Sequence, residues 1–140
     1  LFRSVSGIVD SRKRRARLLA LAQARQGESI CQFARAFPRR DVDAWVIRAV
    51  WETVMAWGGR DLVRLNFPLR ADDSLALFAL DDDEELFDAL SDAATRAGRT
   101  LENLDHNPFF PLITLRDMVM ALNAQPMTPE RQQKRDIVLD

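Results

Sequence analysis

Carboxylates dominate the chemistry that this chain can offer. Asp72, Asp73, Asp81, Asp82, Asp83, Glu84, Glu85 and Asp88 crowd residues 72–88 around one hydroxyl, Ser74, and Asp92 follows. Acid–base or hydrolytic work by a carboxylate needs a positioned base, nucleophile or metal beside it. The chain supplies one His, one Cys and no Tyr. It has no glycine-rich phosphate loop, and hydrolysis by Asp82 and Glu85 has no partner in the sequence. The aspartate run lacks the Asp-x-Asp-x-Asp-Gly spacing of a calcium loop, and a zinc site would have to rest on carboxylates. Cys31 has no base near it and reads as a buried, inert thiol. A non-enzymatic protein with no catalytic residue and no metal is therefore expected. What the acidic run can do is electrostatic. At a helix start it meets the positive end of the macrodipole. A face made of Asp81, Asp82, Asp83, Glu84, Glu85, Asp88 and Asp92 would also steer a partner with a basic surface towards it. The plainer reading is that these groups cap and solubilise a helix.

The positive charge lies elsewhere. Residues 1–40 hold ten Lys/Arg against Asp10 and Glu28, whereas residues 41–140 hold ten against nineteen acids, leaving a formal net charge of −1. Arg12, Lys13, Arg14, Arg15 and Arg17 form the densest basic run. It reads as a solvated helix face, a contact for an acidic surface within the chain or across a dimer, or a nucleic-acid contact. No aromatic residue interleaves it, which argues against base stacking. With 47% hydrophobic and 29% charged residues the composition is that of a globular domain. No run approaches the about 20 apolar residues of a membrane span. No signal segment is visible, a single cysteine excludes an internal disulfide framework, and a cytoplasmic location is expected.

The elements that must hold these groups are helical. Ser11 opens a run of good helix formers that Gly27 closes, predicting a helix at about residues 12–26 with Leu18, Leu19 and Ala22 as its narrow stripe. Residues 1–10 show no period. Ser29 caps a short helix whose Ile30, Phe33, Ala34 and Phe37 share a face, and Pro38 ends it. The strongest helix starts at Asp41 or Asp43, with Val42, Trp45, Val46, Ala49, Val50 and Val54 inward and Gly58-Gly59 as the stop. Trp45, Trp51 and Trp57 follow at six-residue steps, each rotated about 240° from the last, so they cannot share one core. Trp51 or Trp57 must face another element or a partner, a second copy included. Residues 60–80 read as a long connecting loop tacked down by Leu62, Leu65, Phe67, Leu75, Leu77 and Phe78. An acidic helix over Asp83 to Ala97 follows, with Leu86, Phe87, Leu90, Ala93, Ala94 and Ala97 inward and Gly98 as its C′ residue. A turn at Leu101–Leu104, a rigid corner at Asn107–Pro111 and a last helix opened by Thr114 and Asp117 complete the core. Residues 127–140 carry no core pattern and read as a mobile tail. The class is all-α, divided into a basic helical extension (1–40), a helical core (41–125) and a flexible C-terminal tail (126–140).

One long amphipathic helix, a long loop, an acidic-capped helix, a short turn and a final helix over residues 42–124 resemble the acyl carrier protein fold, a small bundle of about four helices. The best local match is Ile113-Thr114-Leu115-Arg116-Asp117-Met118-Val119, similar to the Thr-Val-x-Asp-Leu-Val start of that family's last helix. Carrier proteins begin their second helix at Asp-Ser-Leu, whose serine bears 4′-phosphopantetheine, and this chain contains Asp73-Ser74-Leu75. Placing Ser74 at the helix start would push Asp81, Asp82 and Glu84 into the buried pattern. Matching the apolar pattern instead sets Asp82 or Asp83 at the serine position, where no hydroxyl exists, and leaves Ser74 in the preceding loop. The chain thus looks most like the small uncharacterised bacterial families that keep the carrier fold without the serine. That resemblance implies a non-catalytic protein–protein interaction module without prosthetic group. The alternatives are a genuine acyl or peptidyl carrier modified at Ser74 and a nucleic-acid binder acting through the basic arm.

Overall fold

The computed structural model describes the backbone of residues 2–139 and the side chains of residues 11–137. Among them run α1 (Phe2–Ala24), α2 (Ile30–Arg35), α3 (Ala44–Trp57), α4 (Arg60–Leu65), α5 (Asp83–Ala97), α6 (Leu115–Asn123) and α7 (Pro129–Leu139), with 3₁₀ turns at Leu75–Phe78 and Leu104–His106. The described residues form no strand, only isolated antiparallel bridges between Ser74 and Thr114 and between Arg99 and Met127. The all-α expectation holds, as a helical bundle.

Local chemistry accounts for where the helices start and stop. The Asp43 carboxylate accepts from the Trp45 N–H at 3.0 Å and opens α3. Ser29 with Gln32, and Thr114 with Asp117, close reciprocal capping boxes on α2 and α6. Asp82 stands at the N-cap of α5, three acidic residues fill its first turn, and Gly98 ends it in the left-handed conformation.

The core lies where α3 packs on α5 and α6. Val46, Ala49, Val50 and Val54 face inward from α3, as their period requires. Ala89, Ala93 and Ala97 recur every fourth residue on α5 and are fully buried. Their small side chains let α3 and α5 lie close, antiparallel, with Asp43 at the start of α3 beside Arg99 just past α5 and Trp57 at the end of α3 beside Asp92 in the middle of α5.

Residues 60–80 are more ordered than a loop. Leu62 packs under Gly58 and anchors the six-residue α4, and Phe67, Leu75, Leu77 and Phe78 are all buried. So short a helix has too few turns to show a period and too little stability alone, so tertiary packing makes it. α1 extends well past the expected start. Among its described side chains Leu18 is buried, Leu19 is exposed, and Leu21 takes the place of Leu19 against the core.

Several expected core positions face water instead. Trp45 is 46% exposed with the Arg131 guanidinium 4.0 Å from its ring centroid, and Phe87 is 54% exposed. The long α5 stripe turns its alanines inward, which rotates Phe87 out. Cys31 is exposed, not buried, because Phe33 takes the inward face of α2 and Phe37 the core position just past its end. The residues expected as a tail carry α7, and its Arg131 side chain docks on Asp43 and Trp45.

Candidate functional site

Asp73-Ser74-Leu75 lies across from the start of α6. The Leu75 N–H donates to the Ile113 carbonyl at 2.8 Å, and the Leu115 N–H donates to the Asp73 carbonyl at 3.0 Å. Ser74 caps the 3₁₀ turn that follows, its half-buried hydroxyl accepting from the Leu77 N–H at 3.2 Å. Asp73 is the better buried neighbour. Its two carboxylate oxygens take the Arg25 guanidinium at 2.6 and 2.8 Å, and one also accepts from the Arg70 N–H. Arg25 is only 6% exposed and reaches the Pro68 carbonyl as well, with the Phe67 ring beneath it. Beside this pair an exposed clamp joins Arg70 to Glu28, and the Arg70 hydrogen bond holds the Glu28 carboxyl below its ordinary range. Arg25 was invisible as a functional or structural residue in the sequence because it follows the basic run and looks like more of it.

The acidic residues gather at the first two turns of α5. Asp81, Asp82, Asp83, Glu84, Glu85 and Asp88 are exposed, and none is ion-paired among the described residues. Phe87 projects among them. Asp92 differs: it accepts from the Trp57 indole N–H at 3.0 Å and pairs with Arg96, which reaches on to Glu52. The indole donor first, and Arg96 with it, hold the Asp92 carboxyl below its ordinary range despite partial burial. Asp92 is therefore a tie between α3 and α5, separate from the open carboxylates upstream.

Arg12, Lys13, Arg14, Arg15 and Arg17 are exposed along α1. Arg15 pairs with Asp61 of α4 at 3.2 Å, and no described residue of the run touches an α5 carboxylate. Docking of the basic run on the acidic helix of the same chain is thus not what the structure contains. Trp51 packs edge-on against Phe33, so the N-terminal helices cover it, and only Trp57 of that pair stays open to water.

A third cluster was not foreseen. Asp43 accepts from Arg99 at 3.0 Å and Arg131 at 3.4 Å, and its own N–H donates to the Asn123 side chain. Arg99 also donates to the Asn123 and Gln125 carbonyls, and Gln125 ties back to Asn107, Thr100 and Glu102. This network joins the start of α3 to the ends of α5 and α6 and the start of α7. Burial would raise the Asp43 carboxyl, but the Trp45 N–H, Arg99 and Arg131 outweigh it and leave it below its ordinary range. The single signal in the sequence was Asp43 as a helix cap; its long-range partners sit 56 and 88 residues away.

His106 is exposed beside Asp105, and no group of His, Cys, Asp and Glu able to hold a metal ion exists among the described residues. Among the described residues no helix is long and apolar enough to cross a membrane. Compared with known proteins, the chain matches no family model, no curated protein and no solved structure.

Proposed function

We propose that this chain is a non-catalytic, acyl-carrier-like interaction module that meets a basic protein surface with the first half of α5 and carries no phosphopantetheine. The observation that carries the reading is the start of that helix. A carboxylate, Asp82, occupies its N-cap, and the carboxylates from Asp81 to Glu85, with Asp88, have no ion-pair partner among the described residues. Such groups keep their charge for an incoming Lys or Arg, and the exposed Phe87 adds apolar area at the centre of the patch. The order α3, connecting segment, α5, short turn, α6 is compatible with the carrier resemblance. The half-buried Ser74 hydroxyl, already used as a cap, supports a reading without prosthetic group.

Replacing Asp82, Asp83 and Glu84 by Lys should abolish partner capture in pull-downs; unchanged capture would sink the reading. Incubation with a phosphopantetheinyl transferase should leave the mass of Ser74-containing peptides unchanged. A mass increase there would favour a genuine acyl or peptidyl carrier instead. A second reading, nucleic-acid binding through α1, is favoured by the exposure of Arg12, Lys13, Arg14 and Arg17. It requires affinity that falls steeply with salt as phosphate counterions are released, and a salt-independent or absent shift would end it.

A further inference from the structure

Five arginines line one cleft at the opposite end of the bundle from the start of α5. Arg99 and Arg131 line it together with Arg39, Arg40 and Arg135, in a space of about 460 Å³. Two carboxylates, Asp41 and Asp43, also line it, so the cleft carries an excess of three positive charges. Asp43 is shared between two guanidiniums and neutralises only one of them. Arg39, Arg40 and Arg135 are exposed and ion-paired to nothing among the described residues.

The two inner arginines are held and incompletely satisfied. Arg99 is 8% exposed; its terminal nitrogens serve Asp43 and two carbonyls, while its Nε–H has no partner. Arg131 is fixed by Asp43 and by the Trp45 ring, and its Nε–H is buried without a partner too. Both Nε–H groups are enclosed by the protein, out of reach of a molecule in the cleft, so what the inner pair offers there is fixed positive charge beside the three exposed guanidiniums. Guanidiniums offer planar forks matched to phosphate oxygens. The volume falls in the range of small-molecule pockets, about 300–1,000 Å³, rather than that of a strand-tracking groove. We propose that this cleft binds a small molecule bearing a diphosphate, with Arg99 and Arg131 as its fixed inner wall and Arg39, Arg40 and Arg135 closing on the outer oxygens.

The test is calorimetric titration of the full chain at about 0.15 M salt with pyrophosphate, and with ADP as a second arm to separate free from esterified diphosphate. Saturable binding of one molecule of either supports the site, and the tighter of the two names the source. The triple variant Arg39→Ala, Arg40→Ala, Arg135→Ala alters only exposed side chains and should bind about tenfold to a hundredfold more weakly. A charge-matched variant on α1, Arg12→Ala, Arg14→Ala, Arg17→Ala, should stay within about twofold, because distant exposed charges are screened. Arg135→Glu gives a second, single-site variant and should weaken binding in the same direction. No binding of either probe overturns the proposal, and so does equal loss in the two charge-matched variants. Binding of a single-stranded oligonucleotide with none of pyrophosphate or ADP would assign the arginines to a nucleic-acid surface and also overturn it.

Discussion

Arg25 and Asp73 show how much can rest on one pair of side chains. Both are buried, they meet through two short hydrogen bonds, and they join the residue just past α1 to the segment before the 3₁₀ turn Leu75–Phe78. A buried ion pair need add little net stability, but removing one partner strands the other. Arg25→Ala should therefore cost about 3–5 kcal/mol in urea unfolding. The double variant with Asp73→Ala should cost less than the sum of the two singles, by a coupling of roughly 0.5–3 kcal/mol. Asp43 makes a different prediction, about pH. Its folded-state carboxyl titrates below the ordinary value of 3.8, so it binds a proton less readily in the folded chain than in the unfolded one. Its contribution is then fully present above that ordinary value and is lost as pH falls through the depressed folded value. Unfolding free energy measured through the acid range should decline less steeply in Asp43→Asn than in the parent. Glu28 and Asp92 shift in the same direction and should leave part of the decline in place.

At the scale of elements, the end of α5 decides how α7 sits. Gly98 has φ +68°, and a Cβ placed there would lie 2.7 Å from the Arg131 Cβ. Gly98→Ala thus combines a left-handed residue, costing about 1–2 kcal/mol, with a clash against the first turn of α7. The expected result is a lower melting temperature together with faster amide exchange at the Thr128 N–H, which donates to the Gly98 carbonyl. The start of α5 answers to electrostatics instead. Its carboxylates interact favourably with the macrodipole, each by about 0.3–1 kcal/mol, so the lysine substitutions that test partner binding should also lower stability modestly. Loss of binding with the helix still folded, read by circular dichroism, separates the two effects.

Over the whole molecule, the described side chains of α1 divide into a stretch that lies open to water and a stretch that holds the fold. Residues 11–17 are exposed, and the ion pair they make is Arg15 with Asp61 at the surface. Such pairs contribute about 0–1 kcal/mol. Leu18, Leu21, Ala22 and Arg25 follow, and these pack on the core or pair within it. A chain with Arg12, Lys13, Arg14 and Arg17 replaced by Ala should melt within a few degrees of the parent. One beginning at residue 27 should lose several kcal/mol, because the Leu18 contact and the Arg25 pair go together. The charge layout has the same division. The basic surface of α1 and the acidic start of α5 are both left open, so each remains available to something outside the chain.

Patterns set by neighbours in sequence were legible without the fold. The caps at Ser29, Asp43 and Thr114, the stop at Gly98 and the stripe Val46, Ala49, Val50, Val54 follow from hydrogen bonds and periods spanning a few residues, so the all-α class and the start of the acidic helix could be read directly. So could the separation of Ser74 from that start, because Asp81 to Glu85 cannot be buried. What the chain order hid was everything that depends on residues meeting from afar. Leu62 makes a helix of α4 by packing under Gly58, and rotation of α5 on its alanines sends Phe87 to solvent. Arg25 and Arg99 look in sequence like any other surface arginine, and only the partners brought to them, Asp73 and Asp43, make them buried anchors. Local propensity acts through the chain and is written in it; the desolvation and pairing of a charge depend on what surrounds it, and that exists only once the chain has folded.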